Sequence, residues 1–268
     1  LGEAVRIGGL FIRKGNIVET QDSGGRVELL ADLDSTMDYS GPLVVLTSRL
    51  SASASEIVAG ALRDYKRAVI VGSDHTFGKG TVQAVMKLRD DLGAIKVTTG
   101  MFFTPGGDST QERGVPSDVI IPSAFVSKEF SESALDYALP KKSLQPFLSP
   151  EANDTRLVPH FVPVSSELSS ELNKLSKART SKDAEFAKIV KEAKEADSRD
   201  GLFKLAEVMK KNQEANDKDK KSAKKAGRKG RVTDEQEYLN MPSVKEAEDV
   251  LVDMIMLENK AMTVADGE

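Results

Sequence analysis

The chain has 268 residues and a formal net charge of -4, with 39% hydrophobic and 30% charged residues, enough for one large or two small domains. It contains no cysteine, which excludes disulfides, thiolate nucleophiles and Cys-ligated metals, and its two histidines, His75 and His160, lack a second histidine at helical spacing, so no metal site is expected. No apolar run approaches the roughly 18 residues of a membrane span; the chain opens at Leu1 with no initiator Met, so the start reads as a cut and the lack of an export signal excludes nothing.

In chain order, the first half is rich in strand patterns: Asn16–Thr20, Arg26–Ala31, Leu43–Thr47, Ala68–Gly72, Thr81–Leu88 and Ala94–Phe103. Asp22-Ser23-Gly24-Gly25 is a turn signal that predicts a hairpin from the first two. Between the third and fourth, Ile57, Val58, Ala61, Leu62 and Tyr65 recur at three- and four-residue steps, predicting a helix from Ser53 to about Tyr65. Serines before it suit an N-cap, and Glu56 suits the positive end of the helix dipole. Strand, helix, strand and loop in this order predict an α/β layer.

Five of the ten prolines (Pro140, Pro146, Pro150, Pro159 and Pro163) fall in one aperiodic stretch that reads as a linker. The expected division is therefore 1–139 as the core, 140–164 as a proline-rich linker and 165–268 as a helical C-terminal domain. In that last part Leu168, Leu172 and Leu175 make one apolar face, and Phe186, Ile189, Val190 and Ala193 another. Ser243 and Glu246 fit a capping box ahead of Val244, Ala247, Val250, Leu251, Met254 and Ile255. Stripes apolar on one side must pack on a neighbour to be stable.

The chemistry concentrates in residues 51–83. Ser51, Ser53 and Ser55 open the helix at alternate positions, and the spacing alone leaves open which of them is a nucleophile or whether all three are caps. A serine on a first helical turn lies near free backbone N–H groups that can hold an oxyanion, but its hydroxyl needs a base. Lys79, between Gly78 and Gly80 at the end of a buried strand, is a candidate base if burial lowers its pKa. Gln83 shares a face with it if the pleat is regular, and its amide then orients the amine.

Three rival readings attach to the same residues. His75 is an alternative base for Ser53 in a Ser-His-Asp arrangement. Gly72 to Thr81 approaches a phosphate-binding loop and would make the chain a nucleotide binder, but Gly80 stands where Ser or Thr should follow the lysine and a strand follows instead of a helix. Lys210–Arg231 carries ten Lys or Arg against Glu214, Asp217 and Asp219; without interleaved aromatics, in an acidic chain, it reads as a solvated stretch with no nucleic-acid partner.

Taken together, Gly41-Pro42-Leu43-Val44-Val45-Leu46, Ser51-Ala52-Ser53-Ala54-Ser55-Glu56-Ile57, Asp64-Tyr65, Thr76-Phe77-Gly78-Lys79-Gly80-Thr81-Val82-Gln83, Phe102-Phe103-Thr104-Pro105-Gly106-Gly107, Ser109-Thr110-Gln111 and Gly114-Val115-Pro116-Ser117-Asp118-Val119 resemble the carboxy-terminal processing peptidases, in particular the bacterial tail-specific, periplasmic branch. The resemblance is strong over residues 1–125. It implies an α/β peptidase core of mixed sheets and helices, crotonase- or Clp-protease-like, followed by an α-helical C-terminal domain. It further implies a serine endopeptidase without cofactor or metal, with Ser53 as nucleophile, Lys79 as general base, Gln83 orienting the lysine and the Ala54 N–H in the oxyanion hole. Ser51 and Ser55 are then cap and packing residues. Implied substrates are proteins or peptides engaged by apolar or tagged C-termini in the periplasm or cell envelope, and an adaptor lipoprotein is left open as a partner. The family's glycine-rich oxyanion loop is expected just before Leu1 and its PDZ domain further upstream; a peptide-binding scaffold fragment lacking activity is the non-enzyme alternative. Ser73-Asp74-His75 holds one residue more than the family's usual spacing before Thr-Phe-Gly-Lys.

Overall fold

The computed structural model describes residues 1–89, 92–127, 129–198 and 238–265, with side chains to 260. All six strand expectations hold: β1 (Gly15–Asp22), β2 (Val27–Asp32), β3 (Val44–Thr47), β4 (Val69–Gly72), β5 (Thr81–Lys87) and β6 (Ala94–Phe103). β1 and β2 form the expected antiparallel hairpin. β7 (Val119–Ile120) is an addition, too short to carry a period. An antiparallel sheet runs β2-β1-β6-β5, and a parallel sheet runs β3-β4-β7. The architecture is a mixed α/β core followed by helices.

α1 (Gly2–Gly9) was not foreseen, because Gly2, Gly8 and Gly9 break any apolar stripe; it holds its place by burying Ala4, Gly8 and Gly9. α2 (Ala54–Asp64) joins β3 to β4 and buries Ile57, Ala59, Ala61 and Leu62, the face its spacing predicts. It ends in a Schellman motif built without glycine. Lys66 takes the left-handed conformation (φ 54°), its N–H donates to the Arg63 carbonyl at 2.8 Å, and the Arg67 N–H donates to the Leu62 carbonyl at 2.8 Å.

β4 explains how the molecule is layered. Ala68 and Ile70 point into one core with Ile12, Ile17, Ile57, Leu62, Phe102 and Phe161. Val69 and Val71 point into a second with Val119, Leu172, Phe186, Val250 and Met254. A parallel strand covered on both faces needs a continuous apolar run, and Val69-Ile70-Val71 is one. The second core is completed by α3 (Ser166–Thr180), α4 (Ala184–Asp197) and α5 (Pro242–Ala265). Along the proline-rich stretch, Ala152 and Phe161 are buried in the first core, and Asn16 donates to the Phe147 carbonyl at 2.6 Å.

The Ser243/Glu246 capping box does not form. α5 begins at Pro242, a good first helical residue, and the Met241 carbonyl accepts from Val244 and Lys245 at 3.0 and 3.1 Å. Glu246 instead accepts from Arg179 of α3 at 2.8 Å; that guanidinium also pairs with Asp253, and the two carboxylates push its pKa up. The ion pairs fasten α5 to α3 beside the second core. Lys210–Arg231 lies outside the described residues, and no described helix is long and apolar enough to cross a membrane.

Candidate functional site

The site forms where the loop after β3 meets the loop after β4. Ser51 N–H donates to the Ser48 carbonyl at 2.9 Å, and Ser48 N–H to Ser51 Oγ at 3.1 Å, closing a tight turn. Phe77 N–H donates to the Ser51 carbonyl at 2.9 Å, stitching the two loops together. The additional residue in Ser73-Asp74-His75 is absorbed usefully. Asp74 takes a bidentate pair from the buried Arg49 guanidinium at 2.8 and 2.6 Å, and Arg49 also donates to the Ser127 carbonyl at 3.1 Å.

Ser53 is the N-cap of α2, with φ 59° and ψ -113°, a strained conformation for a side-chain-bearing residue. Such strain is kept only where the surroundings hold it. Two of the three serines are committed to their own loop: Ser51 as above, and Ser55, whose hydroxyl donates to the Ala52 carbonyl at 2.8 Å. Ala54, at the first helical position, is exposed and its N–H has no intrahelical partner.

The residue that joins the site is Glu56. It is fully buried, and its carboxylate accepts four hydrogen bonds. Oε1 takes the Thr76 hydroxyl at 2.5 Å and the Gly78 N–H at 2.7 Å; Oε2 takes the Ser53 N–H at 2.7 Å and the Lys79 N–H at 2.9 Å. One oxygen therefore binds the backbone of both the candidate nucleophile and the candidate base. Burial pushes the Glu56 carboxyl up while the four donors oppose that shift. Sequence reasoning gave Glu56 only a dipole role. Its position three residues after Ser53 was the available signal, because that is the spacing at which a side chain reaches back to the cap amide.

The lysine loop is braced from a second side. Gly78 has φ 94°, and a Cβ on Gly80 would meet Ser109 Oγ at 2.4 Å and the Gln111 backbone N at 2.5 Å, so both flanking glycines are required. The Gln111 side-chain carbonyl accepts the Gly80 N–H at 2.9 Å, Glu112 N–H donates to the Gly78 carbonyl at 2.9 Å, and Val115 N–H donates to Thr76 Oγ1 at 2.7 Å. Ser109-Thr110-Gln111 and Gly114-Val115 are thus the far wall of this loop. Asp64 has a related task, accepting the Gly106 N–H at 2.7 Å to fix the turn after β6.

The reacting atoms themselves are not joined. Lys79 is half-buried and its ammonium donates to the Thr81 carbonyl at 3.0 Å, and no hydrogen bond links it to Ser53 Oγ. Active-site bonds of this kind are often long without substrate. Gln83 is exposed and donates to Thr98 Oγ1 at 3.4 Å instead of meeting Lys79. The face-sharing assumed for that pair does not hold, because Lys79 precedes β5 and is not part of its pleat. The His75 ring lies against its own neighbours, with Nδ1 2.6 Å from the Thr76 carbonyl and Nε2 3.7 Å from Asp74, and makes no bond to Ser53. Among the described residues no group of three or more His, Asp or Glu is placed to hold a metal. An apolar cavity of about 420 Å³ adjoins the serine loop, lined by Leu46, Ser48, Ser51, Ile121, Phe125 and Met241 among others.

A helix-start serine and a glycine-flanked lysine are thus held on one buried carboxylate between the α/β layers. The chain matches the model of peptidase family S41 over residues 1–121. It is 42% identical over 146 residues to the tail-specific protease of Haemophilus influenzae, covering 52% of this chain and 21% of that protein. It is 38% identical over 130 residues to the carboxy-terminal-processing protease of Bartonella bacilliformis, covering 48% of this chain and 29% of that one. A solved structure titled "photosystem II D1 C-terminal processing protease" is 38% identical, covers 45% of this chain and 31% of that one, and superposes with a TM-score of 0.41. The chain thus spans less than a third of the length of the two curated relatives.

Proposed function

We propose that the full-length protein is a serine endopeptidase that cleaves polypeptides by acyl transfer, with Ser53 as nucleophile and Lys79 as base. The observation that carries this reading is the Glu56 carboxylate oxygen shared by the Ser53 and Lys79 amides. In the proposed reaction the Lys79 amine takes the Ser53 proton as Oγ attacks the peptide carbonyl. The Ala54 N–H faces the resulting oxyanion, and the protonated amine returns its proton to the departing amino group. Water, deprotonated by the same amine, then hydrolyses the ester. Gln83, two residues beyond Thr81 on β5, is assigned the task of orienting the amine once substrate is bound.

Substrates engaged through their C-termini are in keeping with the names of the relatives, and an apolar terminus suits the apolar cavity beside Ser51. A periplasmic or envelope setting, an adaptor lipoprotein and a crotonase- or Clp-like fold extend the same reading. The test compares Lys79→Ala with His75→Ala in the full-length protein on a peptide with an apolar C-terminus. Loss of cleavage is expected from the lysine change alone; the reverse pattern assigns the base to His75.

A further inference from the structure

β5 ends its sheet, so one of its edges pairs with β6 and the other, among the described residues, with no strand. Which groups face the open edge follows from three contacts on the paired side. Phe102 N–H donates to the Gly80 carbonyl at 2.9 Å, Thr99 Oγ1 to the Val82 carbonyl at 3.4 Å, and Leu88 N–H to the Gly93 carbonyl at 3.0 Å. Backbone groups alternate in direction along a strand. The N–H and C=O of Thr81, Gln83, Val85 and Lys87 therefore point out from the open edge. Among the described residues a single donor reaches that row, the Lys79 ammonium on the Thr81 carbonyl.

The side chains along this ribbon are unusually apolar for an uncovered edge. Met86 stands opposite Ile95 and Ala84 opposite Val97 on one face, and Val85, on the other, is 70% exposed. A long edge with free backbone groups and apolar flanks is a template for a further strand. Its position selects the occupant. The first outward carbonyl is the one that Lys79 holds, so a strand laid along β5 is led to the lysine and to Ser53.

We propose, resting on the peptidase reading above, that the open edge of β5 receives the substrate polypeptide as an added strand. Main-chain bonds to Thr81, Gln83, Val85 and Lys87 account for binding with little regard to sequence. Alternate apolar side chains of the peptide lie beside Ala84 and Met86. At Thr81 a peptide N–H takes the place of the Lys79 ammonium.

The experiment uses the full-length protein carrying Ser53→Ala, so that binding is read without cleavage. Residue-resolved amide hydrogen exchange is followed with and without a saturating extended peptide of apolar residues. The Gln83, Val85 and Lys87 amides are expected to slow by about tenfold or more, the scale of one well-made backbone hydrogen bond. The same peptide N-methylated at alternate residues should lose that protection in one register and keep it in the other. Protection confined to other segments, or the same effect from both registers, overturns the proposal. So does a concentration-dependent dimer that protects these amides without peptide, which would give the edge to a second copy of the chain. Failure of Ser53-dependent cleavage by the unmodified protein is a separate result and bears on the peptidase reading alone.

Discussion

Glu56→Gln is expected to lower peptide cleavage by the full-length protein by about 100-fold or more, the cost of a displacement near 1 Å at a reacting centre. The substitution is nearly isosteric, so packing is spared. It fails because three of the four partners of Glu56 are backbone N–H groups that can only donate. Whichever way the amide is turned, its NH2 faces an N–H donor on the Ser53/Lys79 side or on the Gly78 side. At least one contact becomes a repulsion, and a buried amide is left unpaired at about 1–3 kcal/mol. Glu56→Asp keeps the charge but is too short to span both loops, so it should fall with the glutamine variant. Acid acts like the substitution: because burial holds this carboxyl above the ordinary glutamate range, activity should decline on acidification at a higher pH than a solvated glutamate would give. Steady-state kinetics across pH, alongside unfolding curves for each variant, check the claim. A Glu56→Gln protein with unaltered kcat would remove Glu56 from the site.

Arg67→Ala is expected to destabilise the fold by roughly 4 kcal/mol, at the exceptional end of single substitutions. Arg67 is 1% exposed and its guanidinium lies 5.9, 5.6 and 5.2 Å from the ring centres of Phe11, Tyr39 and Phe161. It donates to the Phe11 carbonyl at 2.8 Å and the Tyr39 carbonyl at 2.9 Å. Burial lowers its pKa to about 10, which still leaves it charged at neutral pH. Truncation strands two carbonyls, removes a desolvated cation from three rings and opens a cavity. Arg67→Met refills most of the volume and should recover about 1–2 kcal/mol of the loss. The midpoint of urea unfolding measures both. Equal stability of all three proteins would show the cage to be incidental. The contrast with Glu56 is useful: one buried charge joins the serine and lysine loops, the other joins the end of α2 to the segments carrying Phe11, Tyr39 and Phe161.

Much of the scaffold was legible because its periods are clean. Val44-Val45-Leu46 and Val69-Ile70-Val71 are continuous apolar runs, as buried parallel strands require, and the stripe of Ile57, Ala61 and Leu62 fixes the buried face of α2. α1 and β7 were not, since a glycine-rich octapeptide and a two-residue strand are set by tertiary packing alone. The capping box at Ser243 misled because α5 starts at Pro242, two residues sooner than a Ser243 cap requires, and Arg179, far away in sequence, claims Glu246. At the site, the residue types were readable but their joints were not. Gln111 reaches Gly80 across 31 positions and Glu56 reaches Lys79 across 23, distances that no local pattern encodes. The face-sharing of Lys79 and Gln83 rested on parity, and parity fails when the lysine precedes the strand.

In the proposed mechanism the Lys79 side chain activates one hydroxyl, at Ser53. Covalent labelling of the full-length protein with a fluorophosphonate, read by peptide mass spectrometry, addresses it most directly. The expected result is a single adduct on Ser53 that is lost in Lys79→Ala while persisting in His75→Ala. An adduct on Ser51 or Ser55, or one on Ser53 that forms at an unchanged rate without the lysine, would contradict it.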